Sequence, residues 1–151
     1  MNIQKITKNE IQDVISITQN TIDYVYPKYY PAGAVKYFKS HHNDESILAD
    51  IEKGIVFCLF ENDKAVGTVT VDDNHILRLF VLPECQRNGY GRSLLDFAEK
   101  QIANNSDEIV LDASFPAKNI YLKRGYKESD FCKVETENGD FLCYDVMTKK
   151  I

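Results

Sequence analysis

No stretch of the chain is apolar for long enough to cross a bilayer as a helix. No Cys-x-x-Cys pair occurs, and Cys58, Cys85, Cys132 and Cys143 share no metal-ligand spacing with His41, His42 or His75. That excludes the common zinc patterns and leaves free thiols, with Cys132 and Cys143 as a diagonal pair on one hairpin face. There is no basic excess: Lys and Arg number 18 against 23 Asp and Glu, a net charge of −5. The balance argues against a nucleic-acid partner and gently favours a cationic substrate. Repeats, low-complexity tracts and linkers are missing too. The 151 residues therefore read as a single domain, 1–151, large enough to bury a core without staples. Met1-Asn2-Ile3 opens no signal peptide. The expectation is a reduced, cytoplasmic protein with no membrane segment and no metal.

What is present concentrates between residues 76 and 94. An apolar run, Ile76 to Leu82, stops at Pro83. A polar loop leads to Gly89-Tyr90-Gly91, and an amphipathic pattern begins at Arg92. This is a strand, a glycine-bearing turn and a helix start. Glycines let main-chain N–H groups turn toward a ligand. The first amides of a helix lack internal partners and sit at its positive end. Together they make a pyrophosphate site. It is not a Walker loop, because Arg92-Ser93 follows Gly91 where Lys-Ser/Thr is needed. Nor is it a dinucleotide fingerprint: Leu94 stands where the third glycine belongs, and residues 83 to 88 separate the strand from its turn. Asp112, placed where such a fold wants a ribose acid, is then a decoy.

The surviving pattern is Gln86-x-x-Gly89-x-Gly91, preceded by Val81-x-Pro83. A second segment runs Ser114-Phe-Pro-Ala117-Lys-Asn-Ile-Tyr121-Leu-Lys-Arg-Gly125-Tyr126. In this order and spacing the two resemble the signatures of the GNAT N-acetyltransferase superfamily, clearly so from Val66 to Tyr126. The resemblance implies an α/β fold with a central mixed, mostly antiparallel sheet flanked by helices. It implies acetyl-CoA as co-substrate and a primary amine of a small molecule or peptide as acceptor, joined by direct transfer in a ternary complex.

Periodicity places the elements. Thr7-x-x-Glu10 is a capping box opening a helix over 8–21. Tyr24 to Gly33 reads as a loop, Ala34 to Lys39 as a short helix, and Asn43 caps a helix through Glu52 with Gly54 past its end. Strands follow at Ile55–Phe60, Ala65–Val71 and His75–Leu82, then a helix from Arg92 to Ala103 and a strand at Glu108–Leu111. Pro116 starts a helix that Gly125 ends. Lys127–Thr136 and Asp140–Thr148 flank Asn138-Gly139 as a two-residue hairpin.

By resemblance, Leu79-Phe80-Val81 binds the pantetheine arm through its backbone. The loop Gln86-Arg87-Asn88-Gly89-Tyr90-Gly91-Arg92 holds the pyrophosphate. Arg87 and Arg92 either touch phosphate or stay solvated. Ser114 stands where the family usually has an asparagine; it contacts the arm or only caps the next helix, with Asn119 as a substitute amide. Tyr121 is the candidate general acid, its phenol protonated up to about pH 10. His75 occupies the place of a family glutamate and is the candidate base, with an ordinary pKa of about 6.5; Asp72, Asp73 or a water chain are alternatives. Tyr24, Tyr26, Tyr29 and Tyr30 either cage an ammonium or pack in the loop. Cys85 is read as packing and His41-His42 as a helix-flanking pair. The C-terminal hairpin offers a homodimer surface. A non-catalytic acetyl-CoA-binding module and a nucleotide-binding regulator remain as other readings.

Overall fold

A computed structural model describes residues 1–151. The elements in chain order are β1 (Asn2–Lys5), α1 (Ile11–Val25), α2 (Ala32–His41), α3 (Asp44–Glu52), β2 (Val56–Glu61), β3 (Lys64–Asp72), β4 (His75–Val81), α4 (Tyr90–Ile102), β5 (Glu108–Ala113), α5 (Phe115–Lys123), β6 (Lys127–Glu135) and β7 (Phe141–Lys150). The strands form one sheet in the order β1-β2-β3-β4-β5-β7-β6. Every neighbouring pair is antiparallel except β4 and β5, so the expected mixed, mostly antiparallel sheet flanked by helices is what forms.

The local signals act where the sequence puts them. The Thr7–Glu10 capping box is made on both sides, with Thr7 N–H donating to the Glu10 carboxylate at 2.8 Å. Asn43 accepts the Ser46 N–H at 2.9 Å and starts α3, and Gly54 ends it at φ +72°. Other boundaries moved. The first helix continues to Val25, because Thr21 and Ile22 extend its buried face. The tyrosine segment is thus partly helical, and α2 begins at Ala32 with no side-chain cap of its own. Its cap comes from far along the chain, where the Asp140 carboxylate accepts the Gly33 N–H at 2.8 Å. The strand β1 was not expected; Asn-Ile-Gln-Lys offers one apolar residue and no alternation.

Two hairpin expectations need correction. The turn between β6 and β7 has three residues, Glu137-Asn138-Gly139, closed by Thr136 N–H donating to Asp140 C=O at 2.8 Å. Only Gly139 takes positive φ, whereas a two-residue primed turn would need it at both centres. In the pairing that results, Cys132 faces Tyr144 and Lys133 faces Cys143. One step of register puts Cys132 and Cys143 on opposite faces, and all four thiols are free.

Helices cover both faces. The main core lies between the sheet and α4, where Leu94, Leu95, Ala98 and Ile102 meet Val69, Val71, Ile109 and Leu111, with Tyr121 of α5 and Met147 joining them. On the other face α1 and α2 pack over Phe80, Leu82 and Leu142, and α3 with α1 covers Val56 and Cys58. Burying each such large apolar side chain contributes roughly 1.5–3 kcal/mol. Gly67 of β3 lies under α4. A Cβ there would stand 2.8 Å from a Leu94 methyl and 3.1 Å from the Phe80 carbonyl oxygen. Gly67→Ala is therefore expected to destabilise the fold by about 1–3 kcal/mol through overpacking, read as a lower denaturant midpoint at unchanged slope; an unchanged midpoint would show that α4 can lift freely.

Candidate active site

Pairing between β4 and β5 stops almost as soon as it begins, with His75 opposite Val110 and Ile76 opposite Leu111. Beyond these, β4 runs to Val81 and β5 to Ala113 without touching. A bulge lies at the branch: Val71 pairs with Ile76 and Thr70 with Arg78, leaving Leu77 unmatched. The result is a fork inside the sheet.

The fork exposes backbone in an alternating pattern. Leu82 N–H donates to Val66 C=O at 2.9 Å, so in the antiparallel ladder Leu82 and Phe80 turn their polar groups toward β3. Leu79 and Val81 turn theirs the other way, into the fork. The Val81 carbonyl is already taken, by the Thr21 hydroxyl at 3.1 Å and the Gln86 side-chain amide at 3.1 Å. The Leu79 N–H and C=O and the Val81 N–H stay open. They are an unsatisfied strand edge, which an extended ligand can complete.

Beyond Val81 the chain turns through Pro83–Cys85 into the glycine loop. Gln86 N–H donates to Pro83 C=O at 3.3 Å, so Gln86 differs from the expectation: its amide is engaged, and its side chain fixes the loop to β4. The N–H groups of Arg87 through Arg92 have no partner in the protein. Arg87 at φ +67° and Gly89 at φ +83° supply the left-handed turns that bend this run into a concave nest. Gly89 then serves as N-cap of α4, two residues earlier than expected. The side chains of Arg87, Arg92 and Lys123, none of them in an ion pair, border the same opening. On a chain of negative net charge this is a local cationic rim. Arg124 beside them is clamped by Glu99 at 2.8 Å and by Asp96. Glu99 also accepts from the Tyr126 hydroxyl at 3.0 Å and from Lys149, tying α4 to the end of α5.

Two cavities meet at the fork. The larger, about 700 Å³, runs from the loop along β4. The smaller, about 180 Å³, lies under α2 near the closed end of the fork. Tyr26, Leu79, Phe80, Ser114, Ala117 and Tyr121 line both. Tyr121 is 8% exposed, and its hydroxyl is bonded to no other group of the protein. Burial pushes its phenol above the ordinary value, as the negative form of Tyr26 would too. Tyr126 supports its ring at 5.5 Å, edge-on. Ser114 does not cap α5 with its side chain; Tyr30 supplies an anchor instead, its hydroxyl accepting the Phe115 N–H at 2.8 Å.

The smaller cavity is walled by rings. Tyr37, Phe38, His41 and His42 come from α2 and its end, and Tyr144 from β7. His42 packs edge-on against Phe80 at 5.7 Å. Desolvation, then the Arg78 guanidinium and His41, push its pKa down to about 3. Asp112 stands at the rim, and burial raises its carboxyl above the usual range while His75 and His41 oppose this.

Of the residues singled out from sequence, the fork brings together Leu79, Phe80, Val81, Gln86, Arg87, Gly89, Gly91, Arg92, Ser114 and Tyr121 on the larger cavity. Asn88 folds back, its side-chain amide donating to Cys85 C=O at 3.0 Å. Tyr90 packs against the core, Asn119 is exposed on α5, and His75 is exposed at the start of β4; none of these four borders either cavity. Of the four tyrosines, Tyr26 and Tyr30 are buried while Tyr24 and Tyr29 are exposed. Tyr37, Tyr144, His42 and Thr21 were missed. Tyr144 had no signal, because only the strand register brings β7 beside Asp112.

Residues 20–144 match the family described as Acetyltransferase (GNAT) domain. No curated protein matches the chain in sequence. Among solved structures the chain is similar to a GCN5-related N-acetyltransferase from Rhodopseudomonas palustris, with 21% identity, TM-score 0.90, and coverage of 99% of this chain and 95% of that one. It is similar to the PaiA N-acetyltransferase of Thermoplasma acidophilum, solved with coenzyme A, at 21% identity, TM-score 0.77, and coverage of 99% and 98%. A ribosomal-protein-alanine N-acetyltransferase from Brucella melitensis gives 15% identity, TM-score 0.71, and full coverage of both chains (100% and 100%).

Two outcomes follow from this geometry. A Cβ on Gly91 would meet only a Val81 methyl at 3.8 Å, an ordinary contact. Gly91→Ala is expected to leave the melting temperature of the free protein unchanged or slightly raised, and to cut coenzyme A affinity by about tenfold or more in calorimetry. Equal affinity would remove the nest from the binding site. Because His42 is neutral in the fold and protonates near pH 6.5 when unfolded, the unfolded chain binds more protons below that pH. Stability should therefore fall as pH drops from about 6.5 toward 3, by at most about 1.4 kcal/mol per unit. His42→Gln should flatten this slope in acid titrations of folding; an identical slope would mean the ring is solvated.

Proposed function

This chain belongs to the GNAT acetyltransferase family, and from that premise we propose that it moves the acetyl group of acetyl-CoA directly to a primary amine within a ternary complex. The observation that carries the reading is the meeting of an unpartnered N–H run, an unfilled strand edge and a buried tyrosine at one opening. Arg87 to Arg92 would hold the pyrophosphate, with the free arginines at its edge. Val81 N–H and Leu79 C=O would pair with the amides of the pantetheine arm, laid along β4 as a missing strand. That register leaves the Leu79 N–H for the thioester carbonyl, where it stabilises the negative charge that forms during attack.

The acceptor amine enters through the smaller cavity. An alkyl ammonium has a pKa of about 10, so it must lose a proton before it can attack. His75 and Asp112, neighbours at the closed end of the fork, give that proton a way to solvent. Attack forms the N–C bond, and collapse breaks the C–S bond toward Tyr121. A phenol is a weaker acid than a thiol, whose pKa is about 8.5. Tyr121 therefore acts chiefly through a hydrogen bond to the sulfur as charge builds, and the thiol proton is made good from solvent. Holding both substrates in one cleft supplies much of the remaining acceleration. The acceptor is a small molecule or a peptide end.

Tyr121→Phe removes the hydroxyl and keeps the ring. It is expected to lower kcat by about 10²-fold or more while the dissociation constant for acetyl-CoA stays within about twofold. Normal turnover in that variant, measured by thiol release, would exclude the Tyr121 hydroxyl from stabilising the departing sulfur.

A further inference from the structure

The cavity under α2 carries one fixed charge. Its walls are mostly rings, and Asp112 is the one carboxylate on it; no lysine or arginine borders it. The guanidinium of Arg78 lies behind the wall, 3% exposed, held by Asp50 at 3.2 Å and Thr70 at 3.0 Å. His42 stays neutral through burial. An acceptor bearing its own carboxylate would bring a second negative charge beside Asp112 and find no cation to meet it. Asp112 is exposed at the rim, so solvent screens part of that repulsion, yet an added carboxylate gains no counter-ion among the residues that line the cavity. An ammonium finds both a counter-ion and aromatic faces.

Position supports the same assignment. Asp112 lies on β5, and Ser114, one residue past the end of that strand, keeps an extended backbone (φ −70°, ψ 157°), so the two side chains share a face roughly 6.6 Å apart along the chain. Ser114 lines both cavities alongside Tyr121. Asp112 therefore lies on the same side of the chain as Ser114, where the two cavities join. The cavity is also small, about 180 Å³, below the usual range of roughly 300–1,000 Å³ for drug-sized ligands.

We propose that Asp112 is the acceptor-binding carboxylate of this site and the first receiver of the amine's proton, and that the acceptor is a small primary amine with no carboxylate or phosphate of its own. The proposal rests on the acetyl-transfer reading above. The ammonium gives one proton to Asp112 and becomes the nucleophile. The N–C bond forms, the C–S bond breaks, and the nitrogen loses its second proton as the amide forms. One ammonium and one thioester yield one amide, one thiol and one solvent proton. The titratable groups facing Asp112 are His75 on β4, His41 on α2 and Tyr144 on β7, and Tyr37 lines the same cavity.

The test uses two matched pairs of acceptors, each differing by one carboxylate: 2-phenylethylamine against phenylalanine, and 1,4-diaminobutane against ornithine. With wild-type protein and acetyl-CoA, the carboxylate-free member of at least one pair is expected to exceed its partner by about 50-fold or more in kcat/KM. The arm that responds tells an aromatic monoamine from an aliphatic diamine. Asp112→Asn should raise the amine KM about tenfold or more and move the acidic limb of the kcat/KM profile. Asp112→Glu keeps the charge and should retain most activity. Acetyl-CoA affinity should be unchanged in both variants.

Comparable use of the carboxylate-bearing partners overturns the proposal. So does an Asp112→Asn protein with native KM and pH limb, or a free-amino peptide that outperforms every small amine. Acetyl-CoA binding with no amine bound or acetylated also overturns the acceptor class. Failure to bind acetyl-CoA strikes the acetyl-transfer reading instead, so the two failures are distinct.

Discussion

The parting of β4 from β5 after two residue pairs is the constraint on which the site depends. A parallel pair normally keeps its ladder along the shared length. Here Leu77 is an extra residue at the branch, and α5 enters directly after Ala113. The ladder is abandoned where it would have closed over Leu79 and Val81. Unfilled main-chain groups inside a sheet are costly unless something satisfies them. The Val81 carbonyl is satisfied twice from within, by Thr21 and Gln86, and the groups beside it stay open to an extended ligand. The same gap admits both cavities, so two openings reach one tyrosine from two directions.

Around this gap the structure spends charge sparingly. The cationic rim near the loop stays free, while Arg124 is absorbed by Glu99 and Asp96. Glu99 also receives Tyr126 and Lys149, and its carboxyl is held below the ordinary range by these donors although burial alone would raise it. That junction joins α4, which begins at the nest, to the end of α5, which carries Tyr121. Arg78 with Asp50 and Thr70 forms a second buried group behind Phe80. Pairs of this kind are weak evidence for stability, but they fix where a strand face stands relative to its helices.

Sequence placed the residues of the loop and larger cavity well and those of the smaller cavity poorly. The loop could be read because its demands are local. Gly89 must reach positive φ, the nest must precede a helix, and Val81-x-Pro83 must end a strand; each lies within a dozen residues of the others. Tyr121 could be placed for the same reason, through its spacing to Gly125. The smaller cavity is built largely from α2, β4, β5 and β7, whose meeting is a matter of register and topology. Nothing near Tyr144 or Tyr37 in the chain announces that they share a cavity with Asp112. Nothing near Gly33 announces that its helix is capped by Asp140. The segment from Tyr24 to Gly33 looked like a loop because its prolines and tyrosines mask a helix continued by the buried face of α1. The amide of Gln86 was assigned to the ligand because spacing cannot tell a free N–H from one already used by Pro83.

The helix α2 is fastened at both ends to different parts of the fold. At its start, Gly33 donates to Asp140 in the C-terminal hairpin, packed so closely that a Cβ there would stand 2.0 Å from the Asn138 side chain. At its far end, Gln19 of α1 donates to the carbonyls of Lys39 and His42, and Lys39 pairs with Asp23. One anchor belongs to the β6–β7 side of the gap and the other to the β3–β4 side. This ten-residue helix thus acts as a strut across the split while roofing the smaller cavity. Rewriting this single short segment would therefore reshape the smaller cavity and leave the glycine loop untouched.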